Sequence, residues 1–176
     1  MLMAINQQGQ KILAQHANKF DKYQCPHCKS EVILKQGMTL IAHFAHKTRF
    51  NHHCSKSESV EHYEAKLYLA RIYEALNFNV EIEPYCKEVL QYPDIVINQK
   101  NAIEVQFSKI SISNIIRRTT GLKRIGLNVI WIIKDVPLKD KYVKLSPFQS
   151  AFIHPINRTL VTVSYTHLTL PTTPYV

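Results

Sequence analysis

The chain has 176 residues, of which 45% are hydrophobic and 20% charged, and its 22 Lys and Arg outnumber 13 Asp and Glu, for a formal net charge of +9 at pH 7. This composition is ordinary for a globular protein and excludes a disordered one, while the excess of positive charge favours a polyanionic partner such as nucleic acid. The sequence shows neither a secretory leader nor an apolar run long enough to cross a bilayer, so we expect a cytoplasmic protein without a membrane span. Its four cysteines are then expected to be metal ligands or buried thiols and not disulfides.

Residues 1–54 are predicted to form an N-terminal region whose core, residues 20–54, is a zinc-ribbon-like module. A Cys-x-x-Cys knuckle is followed by a short hairpin turning near Gly37 and by a second group of His and Cys. Such a layout lets four ligands surround one structural Zn²⁺. The five candidate ligands are Cys25, Cys28, His43, His46 and Cys54.

Spacing does not choose the second pair of ligands. We expect His46 and Cys54, with His43 as the alternative. A redox Cys-x-x-Cys motif would need a strand-to-helix context, which this stretch lacks.

The second domain is predicted to span residues 55–145 and to begin with a helix over Glu58–Leu76. That stretch has no Gly or Pro, and apolar residues recur in it at three- and four-residue steps. Most charged residues of the helix are interpreted as a solvated face, but Glu61, His62 and Lys66 are candidates for a site because they fall within little more than one turn.

A strand over residues 78–83 and a hairpin over Tyr92–Ser108 follow. Asp94 begins the first apolar run of the hairpin and Glu104 lies in the second, with turn-forming residues 98–101 between them. Alternation places Glu104, Gln106 and Ser108 on one face and Ile103, Val105 and Phe107 on a core face. Two carboxylates brought together in this way can bind a hard divalent cation such as Mg²⁺ or Mn²⁺.

A second helix over Ser111–Gly121 and a strand over Leu127–Ile133 complete the domain. Ile112, Ile115 and Ile116 are predicted to face inward, and the strand is predicted to be buried on both faces. No acidic residue occurs between Glu104 and Asp135, and the basic residues of this stretch suit contacts to phosphate. They are Lys109, Arg117, Arg118, Lys123 and Arg124.

Together these elements predict an α/β fold, a mixed sheet flanked by helices. Residues 146–176 are interpreted as a C-terminal remnant. Within it, residues 163–176 are rich in Thr and Pro and lack charge and any helical or strand period, so we expect them to be non-native and not to belong to the fold.

The helix with its acid, Pro93-Asp94 and Glu104-Val-Gln106 resemble the PD-(D/E)XK restriction-endonuclease-like superfamily. The longer series looks like the competence protein CoiA family over about residues 20–135. The motifs of this series are Cys25-Pro-x-Cys28, His43-Phe-Ala-His46, Glu58-Ser-x-Glu61-His62-x-x-x-Lys66, Asp94, Glu104-Val-Gln106-x-Ser108, Arg118 and Val129-Ile-Trp131.

The resemblance implies a cytoplasmic protein of natural transformation that processes incoming DNA, single-stranded during uptake, and promotes recombination, with recombination proteins as partners. Asp94 and Glu104 would be the acids that bind Mg²⁺ or Mn²⁺, and Glu61 a third acidic contributor. Zn²⁺ would be structural.

One position departs from the superfamily pattern. Gln106 stands where a lysine is usual, and because an amide carries no charge, Lys66 or Arg118 would have to supply the cation. Ser108 and Arg118 would steady the phosphate, and His62 would hydrogen bond to a site residue. The alternative is a non-catalytic DNA-binding recombination mediator that keeps the nuclease fold.

Overall fold

The computed structural model describes residues 1–26, 28–37, 41–47, 59–136, 143–154, 156 and 158–163. The chain divides into two compact units, Met1–Glu64 and Ala65–Val176. Within the described residues, each unit contains one five-stranded sheet. No helix in this part of the chain combines the length and apolar character needed to span a membrane.

The first unit is an antiparallel sheet in the order β2-β1-β3-β4-β5. Its strands are β1 (Met3–Ile5), β2 (Lys11–Leu13), β3 (Tyr23–Gln24), β4 (Glu31–Lys35) and β5 (His43–His46). A small apolar core that includes Tyr23, Cys25 and Phe44 packs against the sheet. The pairing of β4 with β5 confirms the hairpin predicted to follow the cysteine knuckle.

Helix α1 spans Val60–Ala75 and confirms the first predicted helix. It ends at Asn77, which adopts a positive φ of 61°. The Phe78 N–H donates to the Tyr73 carbonyl at 3.0 Å, and the two rings pack edge to face with centroids 5.7 Å apart. This backbone bond and ring contact are those of a Schellman C-cap, which turns the chain out of the helix.

The second unit has a mixed sheet in the order β10-β9-β8-β7-β6. Its strands are β6 (Val80–Ile82), β7 (Ile95–Ile97), β8 (Asn101–Gln106), β9 (Asn128–Lys134) and β10 (Val161–Val163). Neighbours are antiparallel from β6 to β8 and parallel from β8 to β10. Helix α2 (Ile112–Arg124) makes the crossover that a parallel β8–β9 pair needs, so the predicted α/β class with a mixed sheet is confirmed.

The predicted hairpin is confirmed as β7 and β8. Asn98 and Gln99 both adopt positive φ, and the Lys100 N–H donates to the Ile97 carbonyl at 3.0 Å, which closes a tight turn. Because the register pairs Ile95 with Ile103, the next position places Asp94 opposite Glu104. The turn therefore decides that the two acids meet.

Strand β8 is buried on both faces from Ala102 to Gln106. Ile103, Val105 and Phe107 pack in one apolar cluster with Ala65 and Ala70 of α1, which confirms the predicted core face. Glu104 and Gln106 alternate with them and are buried as well, so the polar face of the strand is not a solvent face.

The predicted inward face of α2 is wrong in part. Ile115 is buried, but Ile112 and Ile116 are 52% and 57% exposed. The inward row instead continues from Ile115 through Arg118 to Leu122, at helical spacing. Because a charged residue occupies that row, the spacing of apolar residues in the sequence does not show which face of the helix is buried.

The prediction that β9 is buried on both faces holds only for its second half. Trp131, Ile132 and Ile133 are buried, whereas Asn128 and Ile130 are exposed. Strand β10 pairs with Ile132–Lys134, so among the described residues the first half of β9 has no neighbouring strand on that side.

The C-terminal segment adds helix α3 (Pro147–Ser150) and strand β10. Phe152 packs on Trp131 with ring centroids 5.3 Å apart. Val163, the first residue of the stretch expected to be non-native, is the last residue of β10. Residues 164–176 lie outside the described part of the chain.

Candidate functional site

A fully buried lysine lies at the centre of the second unit. The Nζ of Lys66 is 2.6 Å from Oε1 of Glu83 and 3.5 Å from Oδ1 of Asp94. Burial, the largest single influence, raises the pKa of Glu83, but the surrounding positive charge, chiefly that of Lys66, and the hydrogen bond from Lys66 together lower it. A buried charge is tolerated when it is paired, and here each carboxylate has the same cation as its partner.

Asp94 and Glu104 are joined through the backbone of β8. Oδ2 of Asp94 accepts a hydrogen bond of 2.8 Å from the N–H of Val105, the residue after Glu104. The other carboxylate oxygen of Asp94 faces Lys66. The Asp94 side chain is therefore held on both sides, by a strand and by a helix.

Glu104 is buried against Arg118 of α2. Nε of Arg118 donates to Oε1 of Glu104 at 3.0 Å, and Nη2 donates to Oε2, so the pair is bidentate. Arg118 also lies over the ring of Trp131, 5.6 Å from its centroid. Burial raises the pKa of Glu104 to about 8, against the lowering effect of Arg118 and with a further rise from the charge of Asp94. Glu104 is thus a carboxyl group that titrates near neutral pH.

Gln106 is tied to the end of its own strand. Its Nε2 donates to the carbonyl of Ser108 at 2.7 Å and to its Oγ at 3.1 Å. These bonds fix the chain where it leaves β8, but they add no positive charge. The cations next to the two acids are Lys66 and Arg118, the two residues that were expected to replace the missing lysine.

Glu61 and His62 lie in the first turn of α1 and are both half-buried. The N–H of His62 donates to the carbonyl of Ser59 at 3.1 Å and to its Oγ at 3.3 Å, which caps the helix. His62 shares a helix face with Lys66 four residues later, whereas the five-residue step from Glu61 to Lys66 places those two on different faces.

Arg117 and Arg124 line a pocket of about 280 Å³ on another side of α2, together with Val89, Gln91, Thr120 and Gly121. Nε2 of Gln91 donates to the carbonyl of Arg117 at 3.2 Å, and Oε1 of Gln91 is buried without a hydrogen-bond partner among the described residues. A Cβ at Gly121 would lie 2.2 Å from Nε2 of Gln91, so glycine makes room for the amide. The pocket is positively charged and open to a small anionic group.

The other residues predicted to contact DNA do not share this pocket. Lys109, Lys123 and Ser108 are exposed, and Arg118 faces inward to Glu104. The basic residues of α2 therefore divide between the buried acids and the surface.

In the first unit, three of the predicted metal ligands lie together. The ligand atoms of Cys25, Cys28 and His46 are all within 4.8 Å of one another, and Sγ of Cys28 is 3.3 Å from Nε2 of His46. Ligands of a tetrahedral zinc ion lie about 3.6 Å apart, given bond lengths of about 2.0–2.3 Å. The Lys29 N–H donates to the Cys25 carbonyl at 3.0 Å, and Lys29 adopts a positive φ of 60°, which turns the chain directly after the second cysteine.

The fourth ligand remains a prediction. His43 lies three residues before His46 on β5, with its Nδ1 2.9 Å from the Ile41 carbonyl and its ring stacked on Tyr63 at 5.4 Å. Cys54 lies outside the described residues. The donor set of two thiols and an imidazole suits Zn²⁺.

Sequence reasoning missed Glu83. The sequence pattern marks it only as the end of a strand, yet the structure pairs it with Lys66 next to Asp94. A signal was present, because Glu83-Pro84 mirrors Pro93-Asp94 on the neighbouring strand. Glu83 also adopts a positive φ of 49°, a conformation that pattern analysis does not detect.

Comparison with known proteins agrees with this two-part organisation. The family description "Competence protein CoiA, N-terminal domain" matches residues 5–57, and "Competence protein CoiA, nuclease-like domain" matches residues 58–169. The competence protein CoiA of Bacillus subtilis (strain 168) is 31% identical over 157 residues, which cover 84% of this chain and 40% of the relative. The chain thus spans less than half the length of that curated relative. No solved structure matches the chain.

Proposed function

The chain belongs to the competence protein CoiA family, and on this basis we propose that it is a cytoplasmic DNA-processing protein of natural transformation. Its second unit is a PD-(D/E)XK-like, metal-dependent deoxyribonuclease that acts on incoming single-stranded DNA and promotes recombination together with recombination proteins. The observation that carries the proposal is the buried pair of acids, Asp94 and Glu104, which oppose each other across a hairpin with Lys66 and Arg118 beside them.

The oxygen donors of Asp94 and Glu104 fit Mg²⁺ or Mn²⁺. When bound, the ion supplies Lewis-acid stabilisation of the phosphate and an activated water. Glu104 takes part only as a carboxylate, so it must lose the proton that burial favours. Arg118 then exchanges a bond to Glu104 for one to the phosphate, where its planar donors match two oxygens.

Lys66 supplies the positive charge that Gln106 cannot. Glu83 holds its Nζ at 2.6 Å, and Asp94 lies on its other side at 3.5 Å. The cation therefore comes from helix α1 and not from strand β8. Arg117 and Arg124, in their surface pocket, bind a phosphate of the DNA backbone.

In the first unit, Cys25, Cys28 and His46 hold a structural Zn²⁺, with Cys54 or His43 as the fourth ligand. This zinc-ribbon-like module ends near residue 54, and the nuclease-like domain follows over residues 55–145. The support is the cluster of three ligand atoms in a unit with a small apolar core.

A second candidate function is DNA binding without cleavage. It is favoured by the ion pairs themselves, since two cations already neutralise most of the charge of Glu83, Asp94 and Glu104. The amide of Gln106 is also engaged with Ser108. A domain of this kind would act as a recombination mediator.

Cleavage and binding of single- and double-stranded DNA, each measured with Mg²⁺, with Mn²⁺ or without added divalent metal, separate the two functions. We expect cleavage with metal that is abolished by Asp94→Asn and by Glu104→Gln, while binding without added metal persists. Glu88→Gln makes the same chemical change at an exposed acid and should leave cleavage unchanged. Arg124→Gln should weaken binding and make it less sensitive to salt.

Salt-sensitive binding with no cleavage under either metal would establish the mediator function instead. Cleavage that survives both acid substitutions would place the active site elsewhere.

A further inference from the structure

Beyond β6 and β7 the chain forms a narrow ribbon that leads away from the acids. The Glu83 N–H donates to the Asp94 carbonyl at 3.0 Å, and Cys86 and Gln91 exchange two backbone hydrogen bonds of 2.8 and 3.2 Å. The register of β6 and β7 continues between these two pairs. It sets Pro84 opposite Pro93 and Tyr85 opposite Tyr92.

The two tyrosines form a stacked pair on this ribbon. Their ring centroids are 4.6 Å apart with an interplanar angle of 22°, and Tyr85 is 45% exposed. Pro84 precedes Tyr85, and Pro93 follows Tyr92. Each proline ring fixes the backbone φ of its own residue, so both strands are restrained here. The ribbon therefore presents an aromatic surface to solvent, and its backbone would lose little conformational entropy on binding a ligand.

The tyrosine pair faces away from helix α2. Cys86 packs in the cluster that contains Leu122 of α2, and Nε2 of Gln91 donates to the Arg117 carbonyl. Cys86 and Gln91 therefore face α2. Adjacent residues of an extended chain point to opposite faces, which turns Tyr85 and Tyr92 away from α2. Glu83 and Asp94 lie two residues further along the two strands, where they contact Lys66.

The tyrosines lie two residues along each strand from the acids. Side chains two residues apart on a strand are separated by about 6.8 Å, which is close to the spacing of successive phosphates in an extended strand. A base held on the tyrosine pair would therefore lie about one nucleotide along the ribbon from Asp94.

We propose that the outer face of Tyr85 is a stacking platform for one unpaired nucleobase of single-stranded DNA, with Tyr92 as its support. The inference rests on the proposed function and adds to it a contact that selects single strands. Every base has a π-face, so the contact is independent of sequence, and bases within a duplex are already stacked on each other. The net charge of +9 supplies the attraction for the backbone.

The test compares binding of the full chain to a labelled thymidine oligonucleotide and to an oligonucleotide of equal length with abasic sites, both without added divalent metal. The two carry the same phosphates and differ only in bases. Tyr85→Ala should weaken binding of the thymidine strand about 5- to 150-fold, the range for loss of one base stacked on an aromatic ring. Its affinity for the abasic strand should not change.

Two further variants make the result specific. Tyr85→Phe keeps the ring and should bind both strands as the unchanged protein does. Phe20→Ala removes a ring that is 93% exposed in the first unit and should also leave both affinities unchanged. Far-UV circular dichroism of all three variants checks that the fold is retained.

The proposal is overturned if Tyr85→Ala binds the thymidine strand normally, or if it loses affinity for both strands by the same factor. In either case single-stranded DNA binding by the unchanged protein would leave the proposed function standing. If the unchanged protein binds no DNA at all, both fail together.

Discussion

Replacing Lys66 with methionine tests the buried cluster on which the active site depends. Methionine keeps most of the length and volume of the side chain but removes the charge. Glu83 and Asp94 would then be two buried carboxylates without their cation. We expect a large loss of stability.

The distances set the magnitude. At an effective dielectric constant of about 20, the attraction is about 6 kcal/mol at 2.6 Å and about 5 kcal/mol at 3.5 Å. Desolvation of the three groups cancels much of this attraction, and truncating one partner of a buried pair costs about 3–5 kcal/mol. Since a domain is stable by about 5–15 kcal/mol, Lys66→Met should still fold, with little margin.

Urea unfolding followed by the fluorescence of Trp131 provides the assay. This is the single tryptophan of the chain, and it is buried in the second unit. The urea concentration at the midpoint of unfolding should fall, while the dependence of the free energy of unfolding on urea concentration stays the same, as expected for a change in stability alone. Adding Glu83→Gln to Lys66→Met should restore part of the loss, because one unpaired charge is removed.

Lys100→Met is the matched control, since Lys100 is exposed in the β7–β8 turn. It should change the free energy of unfolding by no more than about 0.5 kcal/mol. A Lys66→Met variant that lost less than about 1 kcal/mol, the range of an exposed pair, would refute the buried cluster.

Two further predictions concern protons and zinc. The pKa of Glu104 rises from an ordinary value of 4.5 to about 8 on folding. Between these two pH values the folded state holds more of the Glu104 proton than the unfolded state does. Without divalent metal, the free energy of unfolding should therefore fall as the pH rises from about 4.5 to about 8. Urea titrations across that range should show a shallower fall for Glu104→Gln, and an equal fall in both proteins would contradict the assignment. Elemental analysis should find about one zinc per chain and none in Cys28→Ser, whose first unit should also melt at lower temperature in calorimetry. A Cys28→Ser protein that retains zinc and melts unchanged would exclude the site.

Several features of the fold follow from short stretches of sequence. The turn over residues 98–101 and the alternation after it were enough to predict the hairpin that opposes Asp94 and Glu104, because turn type and strand period are local properties. Helix α1 could also be predicted from the sequence, since the stretch lacks Gly and Pro and its apolar residues recur at helical spacing. The likeness to a known family also depended on motifs readable in order along the chain.

Other features depend on packing between distant residues. Ile112 and Ile116 were misplaced because Arg118 occupies the inward row of α2, which is favourable only with Glu104 opposite it. The sequence around residue 83 places Glu83 beside Asp94 but does not indicate that it will meet a lysine 17 residues earlier in the chain.

The sequence by itself determined which acids share a hairpin, which cysteines and histidines could share a metal, and where basic residues are concentrated. Only the tertiary structure decided which cation neutralises which acid. The reason is physical: pairing of a buried charge depends on which helix covers which strand, and that is settled by the burial of the whole core and not by any local pattern. Lys66 from α1 reaches Asp94, and Arg118 from α2 reaches Glu104, because the sheet lies between the two helices.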